Sequence, residues 1–144
     1  MDLPASTIHC DIVSAHEQIY SGDVKLCVAV GGSGEIGIYP RHAPLMTTLK
    51  PGPFRVLQTD GEEIVFVIGG GILEVMPHLV TVLADTAIRA DDVDEAAALR
   101  AKEEAERILA TRTGQLEFQQ AEAQLIKALE ELRALETLRK RTKR

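Results

Sequence analysis

The sequence changes its period once, near Asp91, and that change limits the chain to a sheet followed by helices. Before it, apolar residues recur at every second position: Ile8, Cys10 and Ile12; Val24, Leu26, Val28 and Val30; Ile64, Phe66 and Ile68; Val80, Val82 and Ala84. Successive side chains of a strand point to opposite faces, so each set lines one face of a half-buried strand. Glycine and proline punctuate these runs at Gly22, Gly31 to Gly34, Pro51 to Pro53, Gly69 to Gly71 and Pro77. Asp60-Gly61 predicts a two-residue hairpin turn, whose central positions both take positive φ. Short strands punctuated this often predict an antiparallel β-sandwich or flattened barrel.

After Pro77 there is no proline, and Gly114 is the only glycine beyond Gly71. Ala, Glu, Leu, Arg and Lys dominate residues 91–144, and all are good helix formers. Asp91 is placed to cap a first helix, with Asp92, Asp94 and Glu95 at its positive end. Ala97, Ala101, Ala105 and Ile108 form a stripe of small and apolar residues on that helix, and Ala121, Leu125, Leu129, Leu132 and Leu135 form one on a second. The short break at Thr111 to Gly114 makes the pair antiparallel. At ~1.5 Å per residue each helix reaches roughly 30–35 Å. The fold class read from the chain is therefore α+β, with a sandwich over 1–88 and a helical hairpin over 89–144.

Composition excludes several functions. Of the 144 residues 3% are aromatic and none is Trp, and the net charge is −6, so a nucleic-acid surface is not expected. No apolar run approaches the ~20 residues of a membrane span, and no basic-then-apolar leader opens the chain. Cys10 and Cys27 lack CxxC spacing and read as reduced thiols filling sheet positions. The last six residues carry five basic groups and no acid, a cationic tip on an acidic body.

No catalytic constellation is visible. Gly32-Ser33-Gly34-Glu35-Ile36-Gly37 matches GxGxxG, but Pro40 and Pro44 follow where a dinucleotide site needs a helix. His9, His16, His42 and His78 lack metal-ligand spacing, so no metal and no cofactor is expected. The many carboxylates of the helical region read as solvated or paired one turn apart, as in Glu103 with Arg107 and Glu136 with Lys140.

One long segment carries a resemblance. Asp23 to Val30, then Gly34-Glu35-Ile36-Gly37-Ile38-Tyr39-Pro40 and His42-Ala43-Pro44-Leu45-Met46-Thr47, is similar to the signature loop of the epsilon subunits of bacterial F-type ATP synthases. Gly70 to Val75 and Val80 to Ala87 resemble that family's second signature. The resemblance covers nearly the whole chain. It implies a sandwich of about ten strands and a non-catalytic place in the central stalk, peripheral to the cytoplasmic face of the bacterial inner membrane. The implied partners are the γ subunit, the c-ring and the α/β catalytic head. Ser14, His42 and Thr47 fall where the family faces γ, and Glu35 where it meets the ring. Arg133, Arg139, Lys140 and Arg141 fall where a raised hairpin meets the head and inhibits ATP hydrolysis.

Two positions depart from the family. Arg41 stands where it usually has glycine. Of the ATP-binding motif found in some members only Asp94 remains, with Ala97 in place of the arginine. Losing a guanidinium removes a fixed fork of phosphate donors, which speaks against tight ATP binding. An ATP-sensing module of the same complex is the alternative reading. An unrelated sandwich with a helical interaction arm is a third, distinguished by whether the chain co-purifies with a γ-type partner.

Overall fold

The structure, a computed structural model, describes residues 7–111 and 114–142, with side chains as far as Lys140. Nine strands lie among the described residues, β1 (Ile8–Val13), β2 (Gln18–Gly31), β3 (Gly34–Ile38), β4 (Leu45–Leu49), β5 (Gly52–Gln58), β6 (Glu63–Ile68), β7 (Gly71–Met76), β8 (Leu79–Ala84) and β9 (Ala87–Arg89). A 3₁₀ turn (Ala90–Asp92) leads into α1 (Glu95–Ala110) and α2 (Gln115–Thr142). The strands pair in the order β1-β8-β7-β4-β2-β5-β6-β9, with β3 on β2, and β1 also pairs with β2. The 14-residue β2 therefore belongs to both layers of a flattened barrel.

Between the layers lies the main core, in which Ile8, Cys10, Ile12, Phe54, Phe66, Leu73, Val80 and Val82 are buried. Both thiols are free and buried. Contact with the Cys27 thiol, with burial next, pushes the Cys10 thiol up and keeps it protonated.

The structure corrects the sequence reading in several places. The set Val24, Leu26, Val28 and Val30 does not share one face: Val24, Cys27 and Ala29 are buried, while Leu26, Val28 and Val30 are half-buried. A register shift between Val24 and Leu26 against β5 inverts the alternation there, as a bulge does. The sheet is not wholly antiparallel, because β1 runs parallel to β8. The turn at Asp60 has three residues rather than two. Gly61 N–H donates to Gln58 O at 3.0 Å, Gln58 N–H donates to Glu62 O at 2.8 Å, and only Gly61 has positive φ, at 90°. That is the type I turn with a left-handed third residue.

The helices also differ from expectation. α1 has 16 residues and α2 has 28, so at ~1.5 Å per residue they span about 24 and 42 Å. Asp94, not Asp91, caps α1, accepting from Ala97 N–H at 3.1 Å. The buried positions are Ala98 and Ala105 on α1 and Ala121, Ala128, Glu130 and Ala134 on α2, while Leu129 is exposed. Arg107 pairs with Glu104 rather than Glu103, whereas Lys140 does pair with Glu136 at 3.1 Å. The hairpin meets the sandwich through a second cluster. Val65 and Val67, on the outer face of β6, pack with Ala90, Val93 and Ala134, flanked by Leu135 and Leu138.

Gly71 enters β7 at φ 146°, and a Cβ there would lie 2.1 Å from the Leu83 carbonyl oxygen across the β7–β8 pair. Gly71→Ala should cost about 3 kcal/mol or more. Gly61→Ala meets open space and bears only the φ strain, about 1–2 kcal/mol. Urea midpoints of the two variants at unchanged m-value measure this difference, and equal losses would refute it.

Candidate functional site

The outer face of β4, β7 and β8 should be polar if it met only water. Instead Met46 is 66% exposed, and Ile72, Met76, Leu79 and Leu83 are also exposed. Register arranges them around one polar pair, Glu74 of β7 opposite Thr81 of β8, with Met46 of β4 opposite Glu74. Leu83 of β8 stands opposite Ile72 of β7, which stands opposite Thr48 of β4, and on the other side Leu83 faces Val13 of β1. Met76 and Leu79 pair at the far end. An exposed apolar band of this extent marks a contact surface.

The three residues expected to face γ sit around this band. Ser14 follows Val13 at the end of β1 and is committed to its own turn, accepting from Glu17 N–H and His16 N–H at 3.3 Å each. Thr47 is half-buried on the inward side of β4, opposite the core residue Leu73 of β7; its neighbours Met46 and Thr48 point outward. His42 is half-buried at the opposite end, its Nδ1 2.7 Å from Ala43 O. Arg41 N–H donates to Pro77 O at 2.9 Å and ties that loop to the β7–β8 turn. Sequence reasoning missed Met46, Ile72, Met76, Leu79 and Leu83. Their signal was an apolar residue at the outward position of an otherwise alternating strand.

Beyond the band, His9 bridges two carboxylates, Asp23 at 2.9 Å and Asp11 at 3.1 Å. The hydrogen bond to Asp23 leads in raising its pKa, so the imidazolium is favoured. Among the described residues no group of His, Cys, Asp or Glu is placed to hold a metal ion. The GxGxxG segment is a β-hairpin, with Gly31 paired to Gly34 and β3 running on from it.

Glu35 begins β3 at that hairpin, with its side chain 67% exposed and Arg55 at 3.8 Å. Of the four basic residues expected to meet the head, the three with described side chains are engaged within the chain. Arg133 meets Glu130 at 3.1 Å and Lys140 meets Glu136. Arg139 meets Glu95 and so joins the end of α2 to the start of α1. The Arg141 side chain lies outside the described residues, as do residues 143–144 of the cationic tip.

A family model described as the beta-sandwich domain of the ATP synthase Delta/Epsilon chain matches residues 7–90, and one for its long alpha-helix domain matches 91–136. The chain belongs to the ATP synthase delta/epsilon family. It is 57% identical over 138 residues to the ATP synthase epsilon chain of Stenotrophomonas maltophilia, covering 96% of this chain and 99% of that one. Over the same shares it is 56% identical to the epsilon chain of Xanthomonas campestris and 53% identical to that of Xylella fastidiosa. The fold recurs in a chain of the Euglena gracilis mitochondrial ATP synthase (OSCP/F1/c-ring, rotational state 1), with TM-score 0.82 and 23% identity over 94% of this chain and 84% of that one. It recurs again in the central stalk/c-ring of the Tetrahymena thermophila enzyme, with TM-score 0.57 and 10% identity over 89% and 96%. As a delta/epsilon chain it is a non-catalytic subunit of the ATP synthase central stalk.

Arg41, the residue that departs from the glycine expected from the resemblance, takes φ 66°. A non-glycine residue there is strained by about 1–2 kcal/mol, partly offset by the extra freedom glycine loses on folding, about 0.5–1 kcal/mol. Arg41→Gly should therefore raise stability by about 0.5–1 kcal/mol in urea titration. A loss would mean that the arginine side chain makes a compensating contact.

Proposed function

We propose that the sandwich grips the foot of the γ subunit and sits on the c-ring, coupling ring rotation to ATP synthesis, while the hairpin over 89–144 restrains ATP hydrolysis. The observation that carries the first part is the exposed band of Met46, Ile72, Met76, Leu79 and Leu83. Its residues lie on three adjacent strands, so a partner lying over it touches a surface about 10 Å wide. Ser14 and His42 are rim contacts of that docking, and Thr47, on the inward side of β4, supports the docked face from beneath. Glu35, at an exposed hairpin on another part of the sandwich, is the ring contact. Among the described residues no helix is long and apolar enough to cross a membrane. Attachment to the cytoplasmic face of the inner membrane then comes through the ring.

The hairpin reading rests on a light contact. α1 and α2 meet through alanines, and α2 exposes Leu116, Phe118, Ile126 and Leu129. Such an element opens at low cost and offers apolar and basic surface to the catalytic head. In that state Arg133, Arg139, Lys140 and Arg141 exchange their internal acids for acids on the head. The ATP-sensing alternative has less support, since the Asp94 carboxylate caps α1 and Ala97 brings no donor fork. Calorimetric titration with Mg-ATP should show no heat of binding.

Leu83→Asp alone should change melting little, since the side chain is half exposed, and weaken γ binding at least tenfold, because a charge is then buried without a partner. Unchanged affinity would move the docking face elsewhere. Replacing Arg139, Lys140 and Arg141 with Ala should raise ATP hydrolysis of the assembled enzyme while coupling persists. Each exposed pair is worth only about 0–1 kcal/mol, but several together bias a hairpin whose positions differ by a few. Unchanged hydrolysis, with unchanged salt dependence, would reduce the tail to a solvated terminus.

A further inference from the structure

We infer that Glu130 is a proton-operated latch: docking of α2 on the sandwich closes over its carboxyl group, so the docked hairpin is favoured while that group is neutral and loosened when it is charged. The inference rests on the reading that the hairpin can leave the sandwich. Glu130 is the one charged residue that is buried among the described residues, at 9% exposure. Its Oε2 lies 3.6 Å from where a Cβ on Gly52 would stand, beside Val30. A Cβ at that distance would be in ordinary van der Waals contact, so the carboxyl group lies against the start of β5.

The pairing of this group does not repay its burial. Its partner is Arg133, one turn along the same helix, with a side chain 63% exposed. That pair survives when α2 lifts, so it gives little preference for the docked state. What docking itself changes is solvation, and removing a carboxylate from water costs free energy.

The surroundings supply no obvious replacement for water. Glu130 lines a groove of about 540 Å³ between α2 and the edge of the sandwich. The charged groups of its lining, Lys127, Glu130 and Glu131, all come from α2. The sandwich contributes Pro51, Val67, Ile68, Thr86 and Ile88 among others, with no ionisable side chain. Of the nearby charges, Lys50 before Pro51 is exposed, Arg55 of β5 is held by Glu35 and Glu63, and Arg89 of β9 lies over the Phe66 ring. Asp91 and Asp92 of the 3₁₀ turn are exposed. On the α1 side Asp94 shares a second cavity with Lys127 and Glu131, not with Glu130.

The direction of titration agrees. Burial raises the Glu130 carboxyl above its ordinary range, and Arg133 pulls it only part of the way back. A group whose pKa is raised in the docked state holds its proton more tightly there. Its full contribution to docking is present below the ordinary carboxylate value, about 4.3, and is lost as pH rises through the raised value.

The test uses the full chain carrying a fluorophore pair at Thr59→Cys and Gln119→Cys, both exposed positions. Between about pH 4 and 8 the docked-to-open ratio of the wild type should fall with rising pH, by up to about tenfold per unit. Glu130→Gln, nearly the same shape and always neutral, should remain docked with a flat profile. Arg133→Gln should move the transition to higher pH. Thiol labelling of Ala134→Cys, a position the sandwich covers, corrected for the thiolate fraction at each pH, registers openings too rare for fluorescence. Equal pH trends in wild type and Glu130→Gln by both measures overturn the latch while leaving a mobile hairpin. Labelling only through global unfolding overturns the lifting reading, and the latch with it.

Discussion

Strand β6 buries apolar side chains on both of its faces. Phe66 and Ile68 point inward, where Phe66 stands opposite Phe54 in register and meets the Tyr20 ring edge-on at 5.5 Å. Val65 and Val67 point outward and are covered by Ala90, Val93 and Ala134. β9 pairs with the same strand and passes through the 3₁₀ turn into α1. One strand therefore carries the core, the connection and the seat of the hairpin. Two buried valines are worth about 1.5–3 kcal/mol each. That holds a helix in place and is small enough for other binding energy to overcome.

The sheet-then-helices order was legible because period two and period 3.6 leave different traces, and the traces switch at one place. Other features were hidden for physical reasons. The bulge in β2 inverts parity in mid-strand, and an alternating string of Val, Leu and Ala looks the same before and after such a shift. Parallel pairing of β1 with β8 depends on residues some seventy positions apart, beyond the reach of local pattern. The second face of β6 was visible in principle. Ile64 to Ile68 is an unbroken apolar run, which signals a strand covered on both sides; attending only to Ile64, Phe66 and Ile68 left Val65 and Val67 unassigned. On α2 the leucines drew attention, yet the buried positions are alanines, because helices this close leave room for a methyl group and little more.

The contact residues explain the character of the hairpin. Ala98 and Ala105 are seven apart on α1, and Ala121 and Ala128 are seven apart on α2, so small residues recur every two turns along both. Small side chains give close approach but little apolar area, and stabilisation follows area. Electrostatics adds contributions of opposite sign. The Arg139–Glu95 pair fastens the two helices to each other, and an exposed pair contributes at most about 1 kcal/mol. Glu130 adds a desolvation cost to the contact of α2 with the sheet. The hairpin is thus held together and held down by separate sets of interactions, each of modest size.

The two outer faces of the sandwich pose the same problem and solve it differently. Strands with apolar residues at outward positions must find cover or expose that surface to water. On the β5–β6 layer the cover comes from within the chain, through α2, and it is light enough to be removed. On the β4–β7–β8 layer nothing among the described residues covers Met46, Ile72 or Leu83, and the docking proposed above would supply the cover from another molecule. A central-stalk subunit needs both conditions at once. In the function proposed above, a permanent apolar grip keeps it on the rotor, and a second face with a detachable cover lets the hairpin move without loosening that grip.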